Sequence, residues 1–257
     1  MRIHFIAIAI ALTAFGSELA EASQNAQIQF NEANQLLEES RYSEALDRYL
    51  AIEATGSISG PLFLNMGIAA TRLDSMGLAK VYFMKARDFR EVERAAIEGL
   101  SFVSDELGRR GARLPELTWI SISNHLYFQT NYTVWLIAGV VLFNIGGVFF
   151  VAHWLRQRYR TLNKITGISL MATGFSILIL SIVLSLHVKN YAQAVQISRE
   201  AQVHQLPDAD SDIVQTGFEG FEYIVNRKES LGHGEWLRVR MSNGSNGWIR
   251  WDKVRKL

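Results

Sequence analysis

The sequence predicts a multidomain membrane protein with an all-α region of paired helices, a two-helix transmembrane hairpin and a small all-β barrel. Three observations predict it. Residues 33–86 repeat their side-chain size pattern at a spacing of 34. Two stretches of about 24 residues carry no Asp, Glu, Lys or Arg. After Gln193 the apolar period shortens to two, the period of strands.

The chain has 257 residues, 49% hydrophobic and 20% charged, with a net formal charge of +1. The 26 Lys+Arg against 25 Asp+Glu give no electrostatic footprint for a polyanion, so nucleic acid is not expected as a partner. There is no cysteine, which excludes disulfides, thiolate metal sites, a Cys nucleophile and a lipidated Cys anchor. No metal site or cofactor is expected.

Residues 1–22 read as a signal peptide. Met1-Arg2-Ile3-His4 is short and positive, Phe5 to Phe15 is apolar but too short to span a bilayer comfortably, and Ala20 and Ala22 form a small-residue cleavage pattern.

Residues 23–110 carry the repeat. Ala33 falls over Gly67, Ala45 over Ala79, Tyr49 over Phe83 and Ile52 over Ala86. Small residues at a helix crossing let antiparallel helices approach, and the A-x-x-x-[YF]-x-x-[AI] face supplies the core. Asn25–Ser40 and Tyr42–Ala54 form the first helix pair, Pro61–Leu73 and Gly77–Asp88 the second. A last helix bearing Val92, Ala96, Leu100, Val103 and Leu107 caps the stack. This period and spacing resemble a tetratricopeptide-repeat solenoid.

That resemblance implies a groove for extended peptides. Asn34 and Asn65 occupy positions that hold a ligand's backbone in peptide-binding members, a task suited to a carboxamide with both donor and acceptor. Phe30, Glu38 and Arg72 lie nearby. Phe30, Ala95 and Gly99 stand where a carboxylate clamp needs lysines, so an internal, more apolar peptide segment is the expected ligand. The other reading makes both asparagines solvated helix-face residues.

Residues 111–131 link the repeats to the membrane. Leu117, Trp119, Ile120, Ile122, Leu126, Tyr127 and Phe128 suit either an amphipathic segment on the membrane surface or a hairpin against the repeats.

The spans are 132–155 and 165–188. The intervening loop, 156–164, holds Arg156, Arg158, Arg160 and Lys164 without an acidic residue, which places it in the cytoplasm. Both flanking regions then lie on the far side, where the signal peptide independently sends the N-terminal one. Gly139 and Gly146 in the first span, and Gly167, Gly174 and Ser181 in the second, recur every seven residues and mark the packing faces.

Residues 193–257 alternate apolar and polar positions. Strands are expected at 195–203, 217–225, 234–241 and from 247, with a hairpin at Asn243-Gly244. Leu206-Pro207, Glu235-Trp236-x-x-Val239 and Gly247-Trp248-Ile249 resemble a bacterial SH3-like barrel. Trp236 and Trp248 are expected inside the barrel, leaving Trp251 as the candidate binding residue on its surface.

Taken in order, these parts resemble the BatE-type proteins of bacterial aerotolerance (Bat) operons. The resemblance implies an inner-membrane protein with periplasmic soluble domains. It implies partners among von Willebrand A-type membrane proteins and a MoxR-type AAA+ ATPase system.

The sequence holds no phosphate loop, HExxH pair or nucleophile elbow. A non-enzymatic adaptor or scaffold for protein or peptide partners is therefore expected. The alternatives are a peptidoglycan sensor acting through the barrel, and a haem- or quinone-binding membrane protein using His125 and His187.

Overall fold

The computed structural model describes residues 24–111, 131–155 and 160–257, with positions 118 and 122. The expected signal peptide, most of the 111–131 linker with His125, and residues 156–159 of the intervening loop lie outside the described residues.

Five helices open the fold: α1 (24–38), α2 (Tyr42–Ala54), α3 (Gly60–Arg72), α4 (Met76–Ala86) and α5 (Glu93–Arg109). Each of α2 to α5 packs on its sequence neighbour. The eight positions matched at a spacing of 34, from Ala33 to Ala86, are all buried. Gly67 and Gly99 both press on the ring of Phe83, where an added Cβ would approach within 2.7 Å. Ser59 starts α3 by accepting a hydrogen bond from the Leu62 N–H, with Pro61 in the first turn.

The turns repeat as well. Ser40 and Asp74 both have left-handed backbones, with φ of 61° and 58°. Arg41 N–H donates to Leu36 O, and Ser75 N–H, 34 residues on, donates to Ala70 O. Both helices therefore end in the same six-residue closing bond.

Two helices, α6 (Tyr132–Leu155) and α7 (Arg160–Asn190), are long and apolar enough to cross a membrane. α7 begins earlier than expected, so Arg160 to Lys164 form its first turns instead of a loop. The two pack as an antiparallel hairpin. Its last residue, Asn190, is followed directly by the first strand.

That strand belongs to a separate antiparallel sheet: β1 (Tyr191–Gln196), β2 (Glu200–His204), β3 (Ile213–Phe218), β4 (Glu222–Asn226), β5 (Trp236–Met241), β6 (Asn246–Arg250) and β7 (Val254–Lys256). A short helix, α8 (Arg227–Ser230), follows β4. The order is β3-β2-β6-β5-β4-β1-β7, so the described strands form an open sheet with β3 and β7 at its edges. Two expected strands each divide in two. Residues 195–203 contain the β1–β2 turn, and 217–225 fold back at Gly220, whose φ of +84° interrupts the run. Gly244, with φ +89°, forms the expected hairpin turn. Val203, Tyr223, Val225, Val239 and Ile249 centre the core.

The helices and the sheet pack together. α4 lies against β1 and β7, with Val81, Met84 and Val195 buried between them.

Candidate functional site

Phe30, Asn34 and Glu38 form one stripe of α1 at a spacing of four, and Asn65 and Arg72 lie on one side of α3. The structure brings Asn34 and Asn65 together. Asn34 Oδ1 accepts from the Tyr49 hydroxyl at 2.7 Å and from Asn65 Nδ2 at 2.8 Å. Both lone pairs of that oxygen are thus used within the fold. What the pair offers a ligand is the Asn34 amide nitrogen as donor and the Asn65 carbonyl as acceptor. Tyr49 is fully buried, and burial pushes its phenol up to about 12, so it remains a donor at neutral pH. The Phe30 ring lies 5.9 Å from the Tyr49 ring. Glu38 and Arg72 are exposed, four residues beyond Asn34 on α1 and seven beyond Asn65 on α3. The arrangement suits an extended segment: a carboxamide pair for its backbone, an aromatic ring for an apolar side chain, and one charge of each sign.

Trp251 is exposed. A cleft of about 470 Å³ on the sheet is lined instead by Trp236, His204, Gln202, Glu200, Arg250 and Lys253. Trp236 does not point into the core. Leu237, Val239 and Met241 face inward, while Trp236 shares the outer face with Arg238 and Arg240. Its ring meets His204 edge-on at 5.2 Å. Trp248 pairs with Arg238 in the ladder and so lies on that outer face too, covered by the Arg238 guanidinium and by His233. Alternation identifies two faces of a strand without saying which one is covered: Trp236, expected inside, stays on the outer face, whereas Trp248 is buried as expected, but on that same face beneath Arg238 and His233.

No pattern in the sequence marks the junction between helices and sheet. Glu219, almost fully buried in the β3–β4 turn, accepts from Gly77 N–H at 2.7 Å and so caps α4 from outside. Lys80 Nζ donates to Gly220 O at 2.9 Å and pairs with Glu222 at 2.7 Å. Glu53 bridges Lys85, at 2.7 Å, and Arg255 of β7, at 3.1 Å. Beneath them, the buried Gln196 donates to Gly217 O and Ser198 O and accepts from the Tyr223 hydroxyl.

The small residues of the hairpin meet in register. A Cβ on Gly174 would lie 2.9 Å from Gly139 O, and one on Gly167 the same distance from Gly146 O. Ser181 Oγ donates to Tyr132 O at 2.8 Å. The pairs 139–174, 146–167 and 132–181 add to the same total, so a single antiparallel register runs the length of the contact. In that register His153 and His187 lie near opposite ends. His187 stacks on Tyr191 with ring centroids 4.5 Å apart. Among the described residues no group of three or more His, Asp or Glu side chains is placed to hold a metal ion.

No known protein-family model matches the chain, and no curated protein is similar to it.

Proposed function

We propose that this protein is a non-enzymatic inner-membrane adaptor that holds a protein or peptide segment in the groove between α1 and α3. In this reading the helix pairs are tetratricopeptide repeats, a view supported by the identical turns at Ser40 and Asp74. The sheet is an SH3-like module, and both soluble units face the periplasm. The Bat-type resemblance suggests von Willebrand A-type membrane proteins and a MoxR-type ATPase system as partners. The observation that carries the proposal is mechanical. α7 ends at Asn190, β1 begins at Tyr191, and the same sheet grips α4. With no linker between the hairpin and the sheet, the groove is held at a fixed attitude to the membrane, which is what a scaffold requires.

Affinity purification from membranes tests this with Asn65→Ala, Glu38→Lys and Arg72→Glu. These variants alter the groove and leave the Tyr49–Asn34 bond in place. Co-purifying partners should fall severalfold, and for the exposed Glu38→Lys and Arg72→Glu at an unchanged unfolding temperature. Unchanged recovery would remove the groove from the function. Tags inserted after Ala22 and at the C-terminus should both be open to protease added to spheroplasts, and protection of either would refute the topology.

The cleft at Trp236 favours a second reading, capture of a short cell-wall peptide. The detergent-solubilised protein should then sediment with purified sacculi and Trp236→Ala should not; a supernatant free of any difference argues for the adaptor alone.

A further inference from the structure

We infer that the face of α6 centred on Asn144 is where two copies of this chain pair within the membrane. The inference rests on α6 and α7 crossing a bilayer. Asn144 lies at the midpoint of the 24-residue α6, about 18 Å from either end at 1.5 Å per residue. It is exposed, whereas Gly139 and Gly146 on the other side of α6 meet α7. One amide donor reaches back to Val140 O at 2.8 Å. That carbonyl is part of the helix's own ladder, and the rest of the carboxamide faces hydrocarbon, where there is no water to bond it.

The surroundings of Asn144 have the form of a packing seam. Ile137, Asn144 and Val151 are seven residues apart, flanked by Val140, Val141 and Val148, and all five apolar members are exposed. A Cβ on Gly147 would meet nothing within 4 Å, so a second helix has room to approach there. A β-branched seam with one central Asn favours a parallel two-stranded contact and fixes its register. Ser176, exposed on α7, differs in kind: its Oγ satisfies itself on Ala172 O, as a small hydroxyl can. A carboxamide has more bonding capacity than its own helix can absorb.

The occupant is a second copy because the group is self-complementary and the depth is given. Two identical chains inserted with one topology bring their Asn144 residues to the same level around a two-fold axis along the membrane normal. Each amide can then donate to the other's carbonyl. A different protein would need its own polar group at that depth.

The chain has no cysteine, so single cysteines report cleanly. Ile137→Cys and Val151→Cys in native membranes should give covalent dimers on oxidation. Ile168→Cys and Ile179→Cys, exposed on α7, should not. Adding Asn144→Leu should slow the cross-link about three- to tenfold, and Asn144→Gln should retain most of it. The inference is overturned by equal cross-linking from the α7 positions, by no cross-link at 137 and 151, by cross-links to another protein in place of dimers, or by an Asn144→Leu variant that behaves like its parent. Release of the protein by alkaline carbonate would refute the membrane reading itself. Retention without cross-links refutes only the pairing.

Discussion

Ser40 and Asp74 stand 34 residues apart and share one unusual backbone conformation, left-handed at φ 61° and 58°. Neither is glycine, and each closes a helix with the same backbone bonds to the preceding turn. The repetition therefore extends from buried side-chain sizes to the geometry of the connections. It is this that makes two α-hairpins of unequal composition stack in the same way, placing Asn34 and Asn65 on one face.

A side chain in the left-handed region costs about 1 kcal/mol relative to glycine. Ser40→Gly, which gives up only the exposed bond that the Tyr42 hydroxyl donates to Ser40 Oγ at 3.1 Å, is therefore expected to stabilise the protein by about 0.5–1 kcal/mol. Asp74→Gly should gain less or lose, because Asp74 also binds Arg110 at 2.6 Å. Thermal unfolding of the two variants in detergent checks the difference, and an equal gain from both would show that the Arg110 bond contributes nothing.

Gly77 and Glu219 fasten the helices to the sheet. A Cβ at Gly77 would lie 2.3 Å from the backbone oxygen of Gln196, so Gly77→Ala must push α4 away from β1. We expect a loss of about 1–3 kcal/mol. Glu219→Ala should cost about 1–3 kcal/mol by leaving a buried N–H without its acceptor. The double variant should cost less than the sum, since both remove one contact. Additive losses in unfolding experiments would mean that the two residues act separately.

Much of this arrangement is legible in the sequence because it is written in burial. The spacing of 34 follows positions that must be small or aromatic, and the two charge-free stretches are the ones that fold into helices long and apolar enough to cross a membrane. The contacts that join the units are not written that way. Glu219 looks like any polar turn residue until α4 arrives 142 positions away in sequence. Gly220 sits inside an alternating run that reads as one strand, and only its positive φ reveals the turn. In the groove, the residue types at 34 and 65 suggested a pair of ligand-holding amides. That Tyr49 occupies one lone pair of Asn34 depends on a tertiary approach that no local pattern encodes.

The glycine register of the hairpin makes a specific demand. Leu at Gly167 or Gly174 would drive its side chain into the backbone of α6 at Phe150 or Phe143. Cysteines at 132 and 181, which face each other in the glycine-set register, should form an intramolecular disulfide in the otherwise unchanged chain. Gly174→Leu should slow that disulfide several-fold, while Gly147→Leu, which meets open space, should leave it unchanged. Equal rates in all three would mean that the hairpin is not held by its glycines.

Alkaline pH tests the floor of the groove. Burial raises the phenols of Tyr49 and Tyr82 to about 12, above their ordinary value of 10. A group whose folded pKa is raised contributes stability that is complete below the unfolded value and is lost as pH climbs through the folded one. Stability should thus be flat to about pH 10 and fall between pH 10 and 12 as ionisation comes to favour the unfolded chain. Tyr49→Phe should be less stable at neutral pH, because Asn34 loses a donor, yet its decline over that window should be shallower. Phenolate absorbance followed alongside unfolding separates the two effects. If Tyr49→Phe declines as steeply as the parent, the Tyr49 hydroxyl is not the buried donor that anchors Asn34, and the groove geometry built on it fails.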